Sequence, residues 1–114
     1  MNIGEVDTFP WVKPNKIQSL KVVEEAAEVH AAWQEWKQIE ATEGYYEARS
    51  YGSCPQYRAL LDECADVIQA TCNLLAALGV KEFRYVMEEC RNRNAERGRY
   101  EVQEPDQKGE GCSE

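Results

Sequence analysis

Two apolar stripes run along one predicted helix, and carboxylates fill the sector between them. From about Asn15 to Ile39 the chain places Val22, Ala26, Val29, Trp33 and Trp36 on one stripe and Leu20, Val23, Ala27 and Ala31 on a second. A helix with two apolar sides needs packing partners on both. At about 100° per residue, Lys21, Glu25, Glu28 and Glu35 fall between the stripes, with Glu24 towards the edge. These carboxylates therefore border a helix interface. A second helix is predicted from about Gln56 to Leu78, with a wide apolar face that includes Leu60, Val67, Leu74 and Leu78, and Gly79 ends it. On its other side Glu63, Asp66, Ala70, Asn73 and Ala77 line up, so small residues continue an acidic stripe and leave room for a ligand or another helix.

The remaining segments are shorter or less regular. Residues 1–14 form an irregular arm in which Pro10 and Pro14 bracket Trp11. Between the two long helices, residues 40–56 combine Gly44, Gly52, Ser53 and Pro55 with three tyrosines, which breaks both helical and strand periodicity and predicts a mobile loop. A third helix is drawn from Val80, Phe83, Met87 and Cys90, and ends at Gly98 after Arg91, Arg93 and Arg97, whose charges suit a helix C-terminus. From Glu101 the polar tail 101–114 predicts disorder.

The fold expected is all-α: an antiparallel bundle of three main helices spanning 15–100, with room for a short fourth in the loop or tail, completed by oligomerisation. At 114 residues and 43% hydrophobic content the chain makes one small domain that gains from burying more surface between subunits. A homodimer, or a homotetramer built from two dimers, is expected.

Charge and cysteine content narrow the function. A net charge of −8 sets the chain against nucleic acid or an anionic membrane surface as its main partner. Five cysteines form no CxxC pair and accompany one histidine, His30, so they read as reduced core fillers and His30 as a partly buried helix residue. No stretch approaches about 18 consecutive apolar residues, and the start of the chain has no basic, apolar leader. A soluble cytoplasmic protein is expected.

The chemistry lies in the two acidic signatures, Glu24-Glu25-Ala26-Ala27-Glu28 and Glu63-Cys64-Ala65-Asp66. Carboxylates three or four positions apart on a helix project together, repel one another, and call for a cation. Oxygen-only ligands select a hard one, Mg2+, with Mn2+ as a substitute. Such an ion would also let an acidic protein hold a phosphate ligand.

With Arg93-Asn94-x-x-Arg97-Gly98 after the third helix, Lys21 before the first signature and Leu78-Gly79 closing the second helix, these motifs resemble the MazG-like all-alpha NTP pyrophosphatase superfamily, whose signature is EExxE followed by ExxD. The resemblance covers roughly residues 16–100; the stretch from Val29 to Asp62 is longer than in compact members. It implies Mg2+-dependent hydrolysis of a (deoxy)nucleoside triphosphate to the monophosphate and pyrophosphate, in nucleotide pool control or housecleaning. Glu25, Glu28, Glu63 and Asp66 match the metal ligands. Lys21, Arg93, Asn94 and Arg97 match positions that contact the triphosphate or base, and Asn73 is placed to hydrogen-bond sugar or base. Independently of the resemblance, Mg2+ joins phosphate oxygens to carboxylates and neutralises charge in an in-line displacement by water. Glu24 and Glu28 are both candidates to take the proton. An aromatic platform for the base could come from Trp33, Trp36 or the loop tyrosines, with Trp36 preferred.

Each feature alone has a plainer reading: acidic triplets as solvated surface, arginines as helix-end compensation, tryptophans as core. Only their combination points to a site. Two other functions fit the same residues. One is phosphoribosyl-ATP pyrophosphatase activity on a similar helical scaffold; the other is a non-catalytic helical module that uses the acidic stripe for metal-stabilised assembly.

Overall fold

Asn15 begins the first helix by accepting the Gln18 backbone N–H on its side-chain oxygen at 3.0 Å, the arrangement expected of a helix N-cap. In the computed structural model, which describes residues 1–102, this helix (α1) spans Lys16–Glu43. It runs a full turn beyond the predicted end at Ile39. The extra turn is stabilised by Glu40, which binds Lys37 at 2.8 Å and Arg49 at 2.6 Å, and Gly44 is the first residue that breaks it.

The second helix, α2, spans Pro55–Ala77, with Pro55 in the first turn, where no backbone donor is needed. A third, α3, spans Arg84–Glu96. Both end in the same way. Val80 N–H reaches Leu75 O and Gly79 N–H reaches Ala76 O after α2; Arg99 and Gly98 repeat the pattern on Asn94 and Ala95 after α3. The glycines take φ of +88° and +70°, a conformation that side chains disfavour. This cap also explains why α3 starts at Arg84 and not at Val80: Val80 is occupied in closing α2.

All the regular structure among the described residues is helical. They divide into a unit of Met1–Lys81 and a second beginning at Glu82, which contains α3. In the first unit α1 and α2 pack antiparallel. Gln18, early in α1, donates to the carbonyl of Ala70, late in α2; Glu25 and Glu28 meet Glu63 at mid-length; Ile39 and Glu43 lie beside Cys54 and Pro55.

The connecting segment is tethered, which the sequence-based expectation of a mobile loop did not anticipate. It holds a single 3-10 turn, Glu47–Arg49, in the place of the short fourth helix. Trp36, buried in α1, donates its indole N–H to Ala48 O at 2.8 Å. The Arg49 guanidinium lies over both the Trp36 and Tyr45 rings and pairs with Glu40. Ala48 and Cys54 are buried as a result.

Residues 1–14 are non-helical, as predicted, and are tied to α2: Asp7 O accepts from Gln69 Nε2 and Phe9 N–H donates to Asn73 Oδ1. The first apolar stripe of α1 turns inward at Val22, Val29 and Trp36, whereas the second, Leu20 to Ala31, faces outward. No large side chain among the described residues is fully buried. His30, expected to be partly buried, is exposed and stacks on Trp33. Cys54, Cys64, Cys72 and Cys90 are free thiols; Cys112 and the predicted disorder beyond Val102 lie outside the described residues. No described helix is long and apolar enough to cross a membrane.

Candidate metal centre and adjoining cleft

Glu25 and Glu28 stand one turn apart on α1, and Glu63 faces them from α2. One carboxylate oxygen from each lies within 4.8 Å of the others. Their environments differ. Glu25 is buried and accepts an ion pair from Lys21 at 3.1 Å; Glu28 is exposed; Glu63 is partly buried, with its Oε1 shielded from solvent and without a hydrogen-bond partner among the described residues.

A shielded carboxylate oxygen with no donor is costly, because burial removes water and nothing replaces it. The Glu28 carboxyl is held above its usual range, first by the charge of Glu25 and then by its contact with Glu63. Three carboxylates this close, one of them with a shielded oxygen that has no donor among the described residues, could hold a hard divalent cation, since carboxylates are its preferred ligands. Lys21 compensates part of this charge: its ammonium is drawn above its ordinary range by Glu25.

The other sequence-predicted residues separate into groups. Asp66 is exposed and outside the three-glutamate cluster, but shares a cleft with Lys21 and Glu25. Glu24 is exposed and reaches only Lys21, at 3.7 Å. Of the two candidates for proton acceptor, Glu28 is thus the one inside the cluster.

Asn73 is buried on the cleft wall. Trp36 does not line this cleft: it lies about 12 Å along α1 from Glu28, at 1.5 Å per residue, and its N–H and one ring face are occupied by the loop. Arg93, Asn94 and Arg97 belong to the second unit. There Asn94 accepts from Arg99 at 2.8 Å and Arg93 and Arg97 are exposed.

The cleft, ≈ 440 Å³, runs from the Lys21–Glu25 pair to the N-terminal arm. Its aromatic wall is Phe9 and Trp11, whose rings stack with centroids 5.4 Å apart and planes 24° from parallel. These two residues were not singled out from the sequence as site residues. The available signal was the Phe9-Pro10-Trp11 run, two aromatic rings flanking a proline, but its docking place depends on Asn73, 64 positions away. The chain matches no family model, curated protein or solved structure.

Proposed function

We propose that the protein hydrolyses a nucleoside triphosphate to the monophosphate and pyrophosphate, with Mg2+ held by Glu25, Glu28 and Glu63 and the nucleoside in the adjoining cleft. The observation that carries this reading is the continuity of a three-carboxylate cluster, with one shielded oxygen that has no donor among the described residues, and an aromatic-walled cleft through Lys21 and Glu25. A solvated acidic surface needs neither a shielded, unpartnered oxygen nor a neighbouring apolar slot. Asp66, on the cleft side of the cluster, is the fourth carboxylate of the proposal.

Mg2+ held there would neutralise charge on the phosphate oxygens during in-line displacement. The chain's own groups supply the rest. Glu28, the candidate proton acceptor that lies inside the cluster, takes a proton from the attacking water. The water oxygen bonds to the α phosphorus, the bond from that phosphorus to the bridging oxygen breaks, and pyrophosphate departs with the electron pair. The Lys21 ammonium, already at the mouth of the cluster, offsets negative charge on the phosphates.

A panel of ribo- and deoxynucleoside triphosphates, together with phosphoribosyl-ATP, incubated with Mg2+ and quenched early, tests the reading by chromatography. Monophosphate and pyrophosphate should appear together, with no diphosphate. Diphosphate and orthophosphate appearing first would refute cleavage at the α phosphorus. Mg2+ binding without turnover of any compound would leave the non-catalytic assembly module.

A further inference from the structure

Three carboxamides meet at the cleft, and the orientation of each is fixed by a partner that can play only one part in a hydrogen bond. The backbone N–H of Phe9 only donates, so the Asn73 atom it meets at 3.0 Å is Oδ1. Gln69 Nε2 donates to the same oxygen at 3.0 Å and to the carbonyl of Asp7 at 2.9 Å. Gln18 Nε2 donates to the carbonyl of Ala70 at 3.2 Å. Three groups remain without partners among the described residues: Asn73 Nδ2, a donor, and the Gln18 and Gln69 Oε1 atoms, both acceptors. All three residues line the cleft beside the exposed Phe9 and Trp11 rings.

One donor and two acceptors are complementary to a base edge with one acceptor and two donors. We infer that the cleft selects guanine, with Asn73 Nδ2 donating to O6 and the Gln18 and Gln69 carboxamide oxygens accepting from N1–H and the 2-amino group. This rests on the pyrophosphatase reading for the reaction, but not for the base. Hypoxanthine lacks the 2-amino group and leaves one acceptor unpaired. Adenine offers a single donor beside its N1. Uracil and cytosine set a carbonyl oxygen against an acceptor, lone pair to lone pair. The stacked Phe9 and Trp11 rings give a purine an apolar wall.

The wild-type protein with Mg2+ and dGTP, dITP, dATP, dUTP and dCTP provides the test through kcat/KM. The guanine nucleotide should lead, with about a tenfold fall for the inosine nucleotide, as one unpaired acceptor implies. Adenine, uracil and cytosine should fall by about a hundredfold or more. An adenine or pyrimidine nucleotide turned over as well as dGTP would overturn the base assignment and leave the reaction intact.

Turnover of none would refute the reaction. Base choice is then read without catalysis, from quenching of tryptophan fluorescence by guanosine and adenosine monophosphates in the absence of metal. Preference for the guanosine compound supports the assignment; equal or absent quenching by the two overturns it. Asn73→Asp keeps an oxygen for Phe9 and Gln69 but replaces the one donor with an acceptor, and should abolish the preference for guanine.

Discussion

Glu63 is where the proposed metal site is most open to test. Its Oε1 is shielded and has no donor among the described residues, and it stands against Glu25 and Glu28. Converting it to an amide, Glu63→Gln, removes one negative charge and supplies a donor to its neighbours. In metal-free buffer the variant should therefore melt a few degrees above the wild type. Added Mg2+ should raise the wild-type melting temperature and leave that of the variant nearly unchanged, since binding stabilises only a state that holds the ion. Turnover should be lost in Glu63→Gln, and likewise in Glu28→Gln and Asp66→Asn with the helices retained in circular dichroism. An unchanged rate in these variants would remove the metal-site assignment. The shared face of Glu25 and Glu28 was legible in the sequence, because a helix fixes which residues three and four apart lie together. The separation of Glu24 from Glu28 was not, as both lie near one sector and only the position of α2 distinguishes them. The positions of Phe9, Trp11 and the three carboxamides at the cleft depend on chain segments brought together over more than fifty positions, which no local spacing encodes.

At the level of the elements, three helix ends followed from local chemistry, Asn15 capping α1 and Gly79 and Gly98 closing α2 and α3, whereas the end of α1 and the start of α3 did not. Asn15→Ala should cost about 1 kcal/mol in urea unfolding. The segment between α1 and α2 was harder to read, since its order comes from tertiary partners. Trp36→Phe keeps most of the buried ring but leaves the Ala48 carbonyl without its donor, and should cost about 1–2 kcal/mol. The Glu40 bridge gives the same segment a pH dependence. Lys37 and then Arg49 hold the Glu40 carboxyl below its ordinary 4.5. A carboxyl depressed in the folded state favours folding above its unfolded pKa, and that contribution disappears as pH falls through the folded value. Amide exchange in residues 44–54 should therefore accelerate, relative to Glu40→Gln, only as pH drops below about 4.5; identical acid profiles for the two proteins would exclude the bridge as an anchor.

At the scale of the molecule, the outer face of α1 is where copies of the chain are expected to meet. Leu20 and Val23 are 46% and 62% exposed, and Ala27 and Ala31 continue the same stripe. Gln34, Gln38 and Ala41 extend it, so the helix face opposite α2 carries no charge from Leu20 to Ala41 in a chain that is 30% charged. Net charge works against association elsewhere on a protein of −8. Across this face two copies could meet without opposing carboxylates, and the small side chains at Ala27 and Ala31 would let helix backbones approach closely. The first unit has reason to associate, because its interior holds no fully buried large side chain and a domain with so thin a core gains stability by burying more apolar surface. Light scattering should therefore find a dimer or larger assembly at micromolar concentration. Leu20→Glu combined with Val23→Glu should shift it to the 13.1 kDa monomer and lower the melting temperature. These positions lie opposite Glu25 and the cleft, so Mg2+ binding per chain should persist wherever the variant remains folded. A wild-type protein that stays at the monomer mass across this range would show that the uncharged face of α1 is not where copies of the chain meet.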